Sequence, residues 1–265
     1  MTDELIRLEN LQKAFGDTVV LDGVELSVNR GESLAVIGRS GSGKSVMLKH
    51  VLGLMMPTDG DVWCLGTHIN TADLRELYHV RARVGYVFQF AALFDSLTVR
   101  ENVGFFLDNH ADKTPEEIDE IVEEKLTQVG LPGTGPLMPA SLSGGMKKRA
   151  GLARALVGEP EIILYDEPTS GLDPITAAAV NDLINKTKEY TAATTVIITH
   201  DMHSAYKTAE RIAMLHEGRI IFDGSNQEIR DCEDPRVQQF INGRAEGPID
   251  PLKGSTKQRP QEANL

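Results

Sequence analysis

A glycine-rich run near the start of the chain has the residue types and the spacing of a phosphate-binding loop (P-loop). It follows a short apolar run and consists of Gly38, Arg39, Ser40, Gly41, Ser42, Gly43, Lys44 and Ser45. Glycines let backbone amides turn inward around phosphate oxygens without a Cβ in the way. A lysine here can reach the β- and γ-phosphates of a nucleotide, and the final serine hydroxyl can ligate Mg²⁺. The run therefore predicts ATP and Mg²⁺ as cofactors.

Two adjacent acids form the second chemical feature. The apolar run from Ile162 to Tyr165 ends directly in Asp166 and Glu167. The carboxyl ends of parallel strands open onto the ligand crevice of such a sheet, so we expect both acids beside the P-loop. Asp166 is then a Mg²⁺ ligand, directly or through water. Glu167 is the group that polarises the water attacking the γ-phosphate.

A short segment past the middle of the chain resembles the LSGGQ signature of the ATP-binding subunits of ABC transporters. It reads Leu142, Ser143, Gly144, Gly145 and Met146, with methionine where glutamine is commonest. The resemblance implies an ATP-sandwiched, head-to-tail homodimer. In that dimer, Ser143, Gly144 and Gly145 of one subunit reach the γ-phosphate held by the other, and attack by water gives ADP and phosphate.

Other positions match the same family in order, and the resemblance covers residues 4 to about 230. Gln89 resembles the Q-loop glutamine that senses Mg²⁺ and the attacking water, and Asp173 resembles the D-loop residue that crosses the dimer interface. His200 resembles the switch histidine that contacts the γ-phosphate, whereas His203 is expected at the surface. Phe15 resembles the aromatic residue that stacks on adenine, and a core or turn role is its alternative.

The elements that must position these residues predict an α/β fold, a P-loop NTPase of ABC type. Short alternating runs in residues 4–28 predict an antiparallel β layer with turns at 15–17 and 22–23. Compact apolar runs predict a parallel-sheet core with strands at 33–37, 62–65, 84–88, 162–165, 195–198 and 211–215, and a helix from 44 to about 54. Helical periodicity predicts an inserted helical subdomain at about 97–156. We expect an ATPase domain over 1–242 and a flexible or partner-docking extension over 243–265.

Composition limits the classes of partner. The net charge of -12 argues against nucleic-acid binding, and the cluster Lys147, Lys148 and Arg149 is expected to be a solvated helix start. Cys64 and Cys232 form no CxxC pair, which fits a reducing cytoplasmic setting without disulfides or zinc. No apolar run approaches the roughly 20 residues that cross a bilayer. Any membrane span is therefore expected in another chain.

Within the family, several runs are similar to the ATP-binding subunits of the Mla phospholipid-transport group. They are residues 137–139, 173–176, 234–240 and 242–248. This resemblance implies a membrane permease, an MCE-domain lipid-binding protein and, in some members, a small regulatory subunit as partners. It also implies a peripheral location at the cytoplasmic face of the bacterial inner membrane. The alternative is the ATPase of an importer for a polar solute such as an amino acid. A soluble ABC ATPase acting on nucleic acid or ribosomes is disfavoured, since those usually carry a long coiled-coil insertion or a second ATPase domain.

Overall fold

The computed structural model describes residues 3–250, 252, 254 and 257–258. Its strands are β1 Glu4–Phe15, β2 Thr18–Asn29, β3 Ser33–Ile37, β4 Asp59–Cys64, β5 Thr67–His68, β6 Val84–Val87, β7 Ile162–Asp166, β8 Thr194–Thr199, β9 Arg211–His216, β10 Arg219–Ser225 and β11 Lys257–Gln258. Its helices are α1 Lys44–Val51, α2 Leu74–Ala82, α3 Val99–His110, α4 Pro115–Gln128, α5 Gly144–Leu156, α6 Pro174–Thr191, α7 Met202–Thr208, α8 Asn226–Asp231 and α9 Pro235–Ile241, with a 3₁₀ turn at Pro139–Ser141. The chain divides into two compact units, a first unit of residues 1–80 with 198–265 and a second unit of residues 81–197.

The first unit contains the antiparallel layer, in the order β11-β2-β1-β4-β5. The prediction that the strand at 62–65 belongs to the parallel core is wrong, because β4 pairs antiparallel with β1 in this layer. The predicted turn after Phe15 is present, but the turn predicted at 22–23 is wrong. There β2 continues, and its register against β1 shifts between the pairs Leu11–Val24 and Gln12–Asp22. Gly23 has a φ of 79°. An extra residue is accommodated as a β-bulge, which glycine permits without reversing the chain.

The same unit contains the strand that leads into the P-loop. β3 is wholly buried and pairs in parallel with β9, which pairs antiparallel with β10. Continuous burial explains why β3 reads as an uninterrupted apolar run. The helix that follows ends at Val51 rather than near residue 54, and Gly53 has the positive φ of 59° typical of a helix C-terminus.

Part of the predicted C-terminal extension packs against its own chain. Ile249 is buried in the cluster that contains Ile37 and Val237. The buried side chain of Gln239 accepts from the Ile249 amide at 2.7 Å and donates to the Ile249 carbonyl at 2.9 Å. The sequence did not indicate this docking. Residues 251, 253, 255–256 and 259–265 of the extension lie outside the described residues.

The second unit combines short parallel strands with the predicted helices. β6 and β7 pair in parallel. α3, α4 and α5 bury one apolar cluster around Val103, Val122 and Leu126. Thr98 and Thr114 each begin a helix with a capping box. The compact unit is wider than the predicted subdomain at 97–156, whose bounds stay a prediction.

Candidate nucleotide site

Backbone crowding fixes the P-loop between β3 and α1. At Gly38, with a φ of 153°, an added Cβ would lie 2.3 Å from the carbonyl oxygen of Leu215 on β9. Gly43 precedes α1 with a φ of 104°, and there a Cβ would lie 3.0 Å from the Val20 carbonyl oxygen. Gly41 also has a positive φ, of 78°, but has no atom within 4 Å of an added Cβ. Two of the three glycines are therefore required for close backbone approach as well as for conformation.

Polar groups of the loop are arranged as an anion-binding site requires. Lys44 is only 5% exposed, and its Nζ donates to the carbonyls of Gly38 at 2.8 Å and Arg39 at 3.1 Å. Gly43 has no side chain, so the N-terminus of α1 has no side-chain capping hydrogen bond. Ser42 Oγ is buried and has no hydrogen-bond partner among the described residues. A helix N-terminus, a buried hydroxyl and a nearby ammonium fit a phosphate group.

The two predicted acids end a wholly buried strand in the second unit. Asp166 and Glu167 are both buried. The Tyr86 hydroxyl on β6 donates to Asp166 Oδ2 at 3.0 Å. Burial, and then the charge of Asp166, raise the pKa of Tyr86, so the hydroxyl stays protonated and donates. The sequence gave no signal for this contact, because it depends on the pairing of β6 with β7.

Lys148 holds the loop that contains Glu167. Glu167 has a φ of 49°, which is uncommon for a residue with a Cβ. Lys148 Nζ donates to the carbonyls of Glu167 at 3.3 Å and Ser170 at 2.6 Å. Burial lowers the pKa of Lys148, and the charge of Glu167 opposes that effect. The prediction of a solvated helix start is wrong for Lys148, and also for Arg149, which donates to two backbone carbonyls.

The structure brings the signature, the D-loop and the Q-loop glutamine together with this acid loop in the second unit. Ser143 caps α5 by accepting from the Met146 amide at 3.3 Å. A Cβ on Gly145 would lie 2.8 Å from Thr176 Cγ2, so α6 packs against the signature. Gln89 Nε2 donates to Ser170 Oγ at 3.5 Å.

Asp173 begins α6 and accepts from the amides of Ile175 and Thr176 at 3.0 and 3.1 Å. The Thr176 hydroxyl also donates to it, and these bonds lower the pKa of Asp173. Asp173 is therefore a charged N-cap at the start of an 18-residue helix.

The remaining predicted residues lie in the first unit with the P-loop. Phe15 is 48% exposed, and Lys13 Nζ lies 5.2 Å from its ring centroid, so the alternative of a core role is wrong. His200 and His203 are both exposed, and Asp201 between them caps α7. Arg39 reaches away from the loop and donates to the Asp250 carbonyl at 2.9 Å. The predicted residues thus fall into two sets, one in each unit.

Two of the predicted site residues have side-chain oxygens of the kind that Mg²⁺ prefers. No group of three or more His, Cys, Asp and Glu in the described part of the chain is arranged to hold a metal ion by itself. Mg²⁺ usually takes one or two protein oxygens together with substrate phosphates. The hydroxyl of Ser45 and the carboxylate of Asp166 are oxygen donors of that type. Each of these two residues therefore has, by its own chemistry, an oxygen that suits Mg²⁺ bound with a nucleotide.

The sequence matches a family described as "ABC transporter" over residues 21–170. The chain belongs to the ABC transporter family. The matched range contains the P-loop, Gln89, the signature and both acids. Among the described residues, no helix of this ABC protein is long and apolar enough to cross a membrane.

Three curated relatives resemble this ABC chain over most of its length. "Protein TRIGALACTOSYLDIACYLGLYCEROL 3, chloroplastic" of Arabidopsis thaliana is 40% identical over 94% of this chain and 76% of that protein. "Probable ribonucleotide transport ATP-binding protein mkl" of Mycobacterium leprae is 41% identical over 92% of this chain and 70% of that protein. "Intermembrane phospholipid transport system ATP-binding protein MlaF" of Haemophilus influenzae is 37% identical over 94% of both chains.

A solved structure supports the fold assignment. The ATP-binding cassette MJ0796, as a dimer in a post-hydrolysis state with ADP and Pi, superposes with a TM-score of 0.77. It is 34% identical and covers 83% of this chain and 98% of that one. The predicted α/β fold of ABC type is confirmed. The chain is an ATP-binding subunit of an ABC transporter.

Proposed function

We propose that this ABC subunit hydrolyses ATP to drive phospholipid transport across the bacterial envelope. The observation that carries the proposal is its similarity to the Haemophilus phospholipid-transport protein over 94% of both chains. The Arabidopsis relative's name also contains that of a diacylglycerol lipid. The partners are an integral-membrane permease and an MCE-domain lipid-binding protein, and some ATPases of this group also bind a small regulatory subunit. The permease would hold this chain at the cytoplasmic face of the inner membrane.

We assign nucleotide binding to the P-loop and Phe15. The amides of residues 38–45 and Lys44 would bind the phosphates, and the half-exposed ring of Phe15 would stack on adenine. Ser45 and Asp166 would hold Mg²⁺, with Gln89 as a further oxygen ligand. When bound, the ion supplies positive charge that neutralises the β- and γ-phosphates. Two observations support this assignment. Backbone atoms approach Gly38 and Gly43 closely, and the ammonium group of Lys44 lies within the loop, where it donates to the Gly38 carbonyl.

We assign the proton-accepting step to Glu167. Its carboxylate takes a proton from the water that attacks the γ-phosphate, while His200 contacts that phosphate. The bonds from Lys148 to the carbonyls of Glu167 and Ser170 hold the backbone that carries this carboxylate. Fixed geometry of this kind is the main contribution of a protein to phosphoryl transfer.

The proposed role of Glu167 is tested by Glu167→Gln. The amide keeps the shape of the side chain but cannot accept the proton, so turnover should fall at least about a hundredfold while ATP binding persists. Steady-state ATPase rates and binding calorimetry measure the two effects. Rapid hydrolysis by the variant would contradict the assignment.

We propose a homodimer in which Ser143, Gly144, Gly145 and Asp173 act on the nucleotide of the second copy. The exposure of Ser143 and Gly144 at the start of a 13-residue helix supports this, because helix N-termini bind anions. Mixing a Ser143→Ala chain with a Lys44→Ala chain should restore one intact composite site. Each variant alone should be nearly inactive. Absence of recovery in a verified mixed dimer would contradict sharing.

The transported substance is tested on the complex purified from native membranes through a tag on this chain. Co-purification of an MCE-domain protein with bound phospholipid is the expected result. The competing proposal, an importer for a polar solute, is favoured by the name of the mycobacterial relative, which concerns ribonucleotides. A solute-binding protein with a bound amino acid or nucleotide would support that alternative and contradict lipid transport.

A further inference from the structure

The segment that follows Gln89 contains two consecutive residues in the left-handed region. Ala91 has a φ of 60° and Ala92 a φ of 49°. Residues with a Cβ rarely adopt this conformation, because the Cβ approaches the following carbonyl. Ala91 is buried and donates its amide to the Phe88 carbonyl at 2.9 Å, and Ala92 donates to that of Phe90 at 2.7 Å. Two strained residues in sequence persist only where the surroundings hold them.

Arg154 of helix α5 holds both strained residues. Its Nη2 donates to the Ala91 carbonyl and its Nη1 to the Ala92 carbonyl, each at 2.7 Å. The guanidinium lies 5.9 Å from the ring centroid of Phe88. At Gly151, one turn earlier on α5, an added Cβ would lie 3.3 Å from Ala91 Cβ. The close contact between α5 and Ala91 and the two charge-assisted hydrogen bonds from Arg154 therefore both match the left-handed backbone conformation of the segment.

A second side chain holds the other end of the same segment, residues 88–98, here called the aromatic loop. Asn102 of α3 is fully buried, and its Nδ2 donates to the carbonyls of Phe94, Leu97 and Thr98 at 2.9–3.0 Å. Its Oδ1 accepts from the Phe94 amide at 2.7 Å. Directly before Ala91, the ring of Phe90 is 84% exposed. The loop is thus anchored twice and presents an aromatic side chain outward.

Helix α5 connects the aromatic loop to the signature and to the loop that contains Glu167. Its N-terminus is the signature at Ser143, and Lys148 on it holds the loop of Glu167. Arg154 lies near its C-terminal end. One rigid helix therefore carries the signature and is bonded to the loops that contain Glu167 and Gln89.

We propose that Arg154 is a positioning residue that locks the aromatic loop to α5 in its strained shape. The lock sets the position of Gln89 and makes the loop move together with the signature. As a role in ATP hydrolysis, this rests on the proposed function. The strain explains the need for a partly buried arginine, since without it the two alanines relax towards ordinary backbone conformations. Arg154 then governs turnover rather than nucleotide affinity.

The test uses the full chain with Arg154→Gln, which removes the guanidinium fork. Hydrogen exchange of peptides covering residues 88–98 should become at least about tenfold faster, because two charge-assisted bonds are lost. The kcat for ATP should fall about tenfold while KM changes by less than about twofold. Melting temperature is recorded for every variant.

Two further variants separate the lock from general stability. Ala92 is exposed, so Ala92→Gly leaves no cavity, and glycine adopts the left-handed conformation without strain. Added to Arg154→Gln, it should return kcat to within about threefold of the parent chain. Arg149→Gln is the matched control, because Arg149 lies on the same helix and donates to the carbonyls of Val129 and Gly130 instead. It should leave exchange in residues 88–98 unchanged.

Unchanged exchange in Arg154→Gln would overturn the proposal. It would also be overturned if Arg149→Gln raised exchange in residues 88–98 equally, or if glycine at position 92 restored no turnover. If the parent chain hydrolysed no ATP, the proposed function would fail by itself. The exchange difference between the Arg154 and Arg149 variants would still decide whether the lock exists.

Discussion

The P-loop of the first unit and the functional loops of the second unit are held in different ways. The P-loop is fixed by backbone crowding, with Gly38 against the Leu215 carbonyl, and Lys44 bonds to the loop's own carbonyls. The loops of the second unit are held by long side chains that reach their carbonyls from helices. Lys148 holds the Glu167 loop, and Arg154 holds the aromatic loop.

The two constructions differ in what they allow. A loop wedged between backbone atoms cannot shift unless the strands around it move. A loop held by side-chain hydrogen bonds can be released at a net free energy of roughly 1–3 kcal/mol per bond. The phosphate-binding element therefore has less freedom to shift than the loops that contain Gln89 and Glu167.

The largest effect is expected where backbone crowding is tightest. In Gly38→Ala the new Cβ would lie 2.3 Å from the Leu215 carbonyl oxygen, so the free energy of unfolding should fall by about 3 kcal/mol or more. ATP binding should be lost, as measured by calorimetry beside denaturant unfolding. Gly41→Ala is the control, since open space leaves only a conformational cost of about 1–2 kcal/mol. If Gly38→Ala and Gly41→Ala lost the same stability and the same ATP binding, backbone crowding would not be what fixes the P-loop.

A smaller effect is expected from removing the side-chain hydrogen bonds that hold the Glu167 loop. Lys148→Met keeps the aliphatic stem but loses the bonds to the Glu167 and Ser170 carbonyls. Loosening the carboxylate should lower kcat by about tenfold to a hundredfold. KM for ATP should change less than about twofold, because the P-loop is fixed independently. Lys147→Met is the control for the loss of a positive charge. If Lys148→Met raised KM strongly and left kcat unchanged, the P-loop and the Glu167 loop would not be held independently.

The smallest effect is expected from breaking a more exposed interaction between two side chains in the first unit. Hydrogen bonding to Arg236 lowers the pKa of Asp234 to about 2 from 3.8. A carboxylate with a depressed pKa stabilises the fold above its ordinary pKa, and that stabilisation is lost as pH falls through about 2. Asp234→Asn should lower the melting temperature by about 1–3 °C above pH 4, and this difference should shrink towards zero as pH falls through about 2. Calorimetry over this range measures it, and a pH-independent difference would exclude the ion pair as its cause.

Local motifs were predictable because their requirements are local. The P-loop glycines and the strand that ends in Asp166 and Glu167 each depend on a few neighbouring residues. The error at 22–23 has the same origin. Asp-Gly favours a turn locally, but in β2 the pairing with β1 converts it into a bulge.

Long-range contacts were not predictable in the same way. Tyr86 meets Asp166 across 80 residues, and Arg154 meets Ala91 across 63. Lys148 was interpreted as solvated because charge clusters on helices usually are. Nothing in its neighbouring residues indicates that the Ser170 carbonyl faces it.

The sequence by itself determined the phosphate loop, the adjacent acids, the signature serine with its glycines, and the alternation of strands and helices around them. Glycine, lysine and carboxylate chemistry at fixed short spacing carries that information. Only the tertiary structure decided which side chains hold these groups in place. Those bonds end on backbone carbonyls, which every residue possesses, so residue type cannot reveal the partner. Strand pairing and helix packing select the carbonyls that Lys148, Arg154 and Asn102 reach.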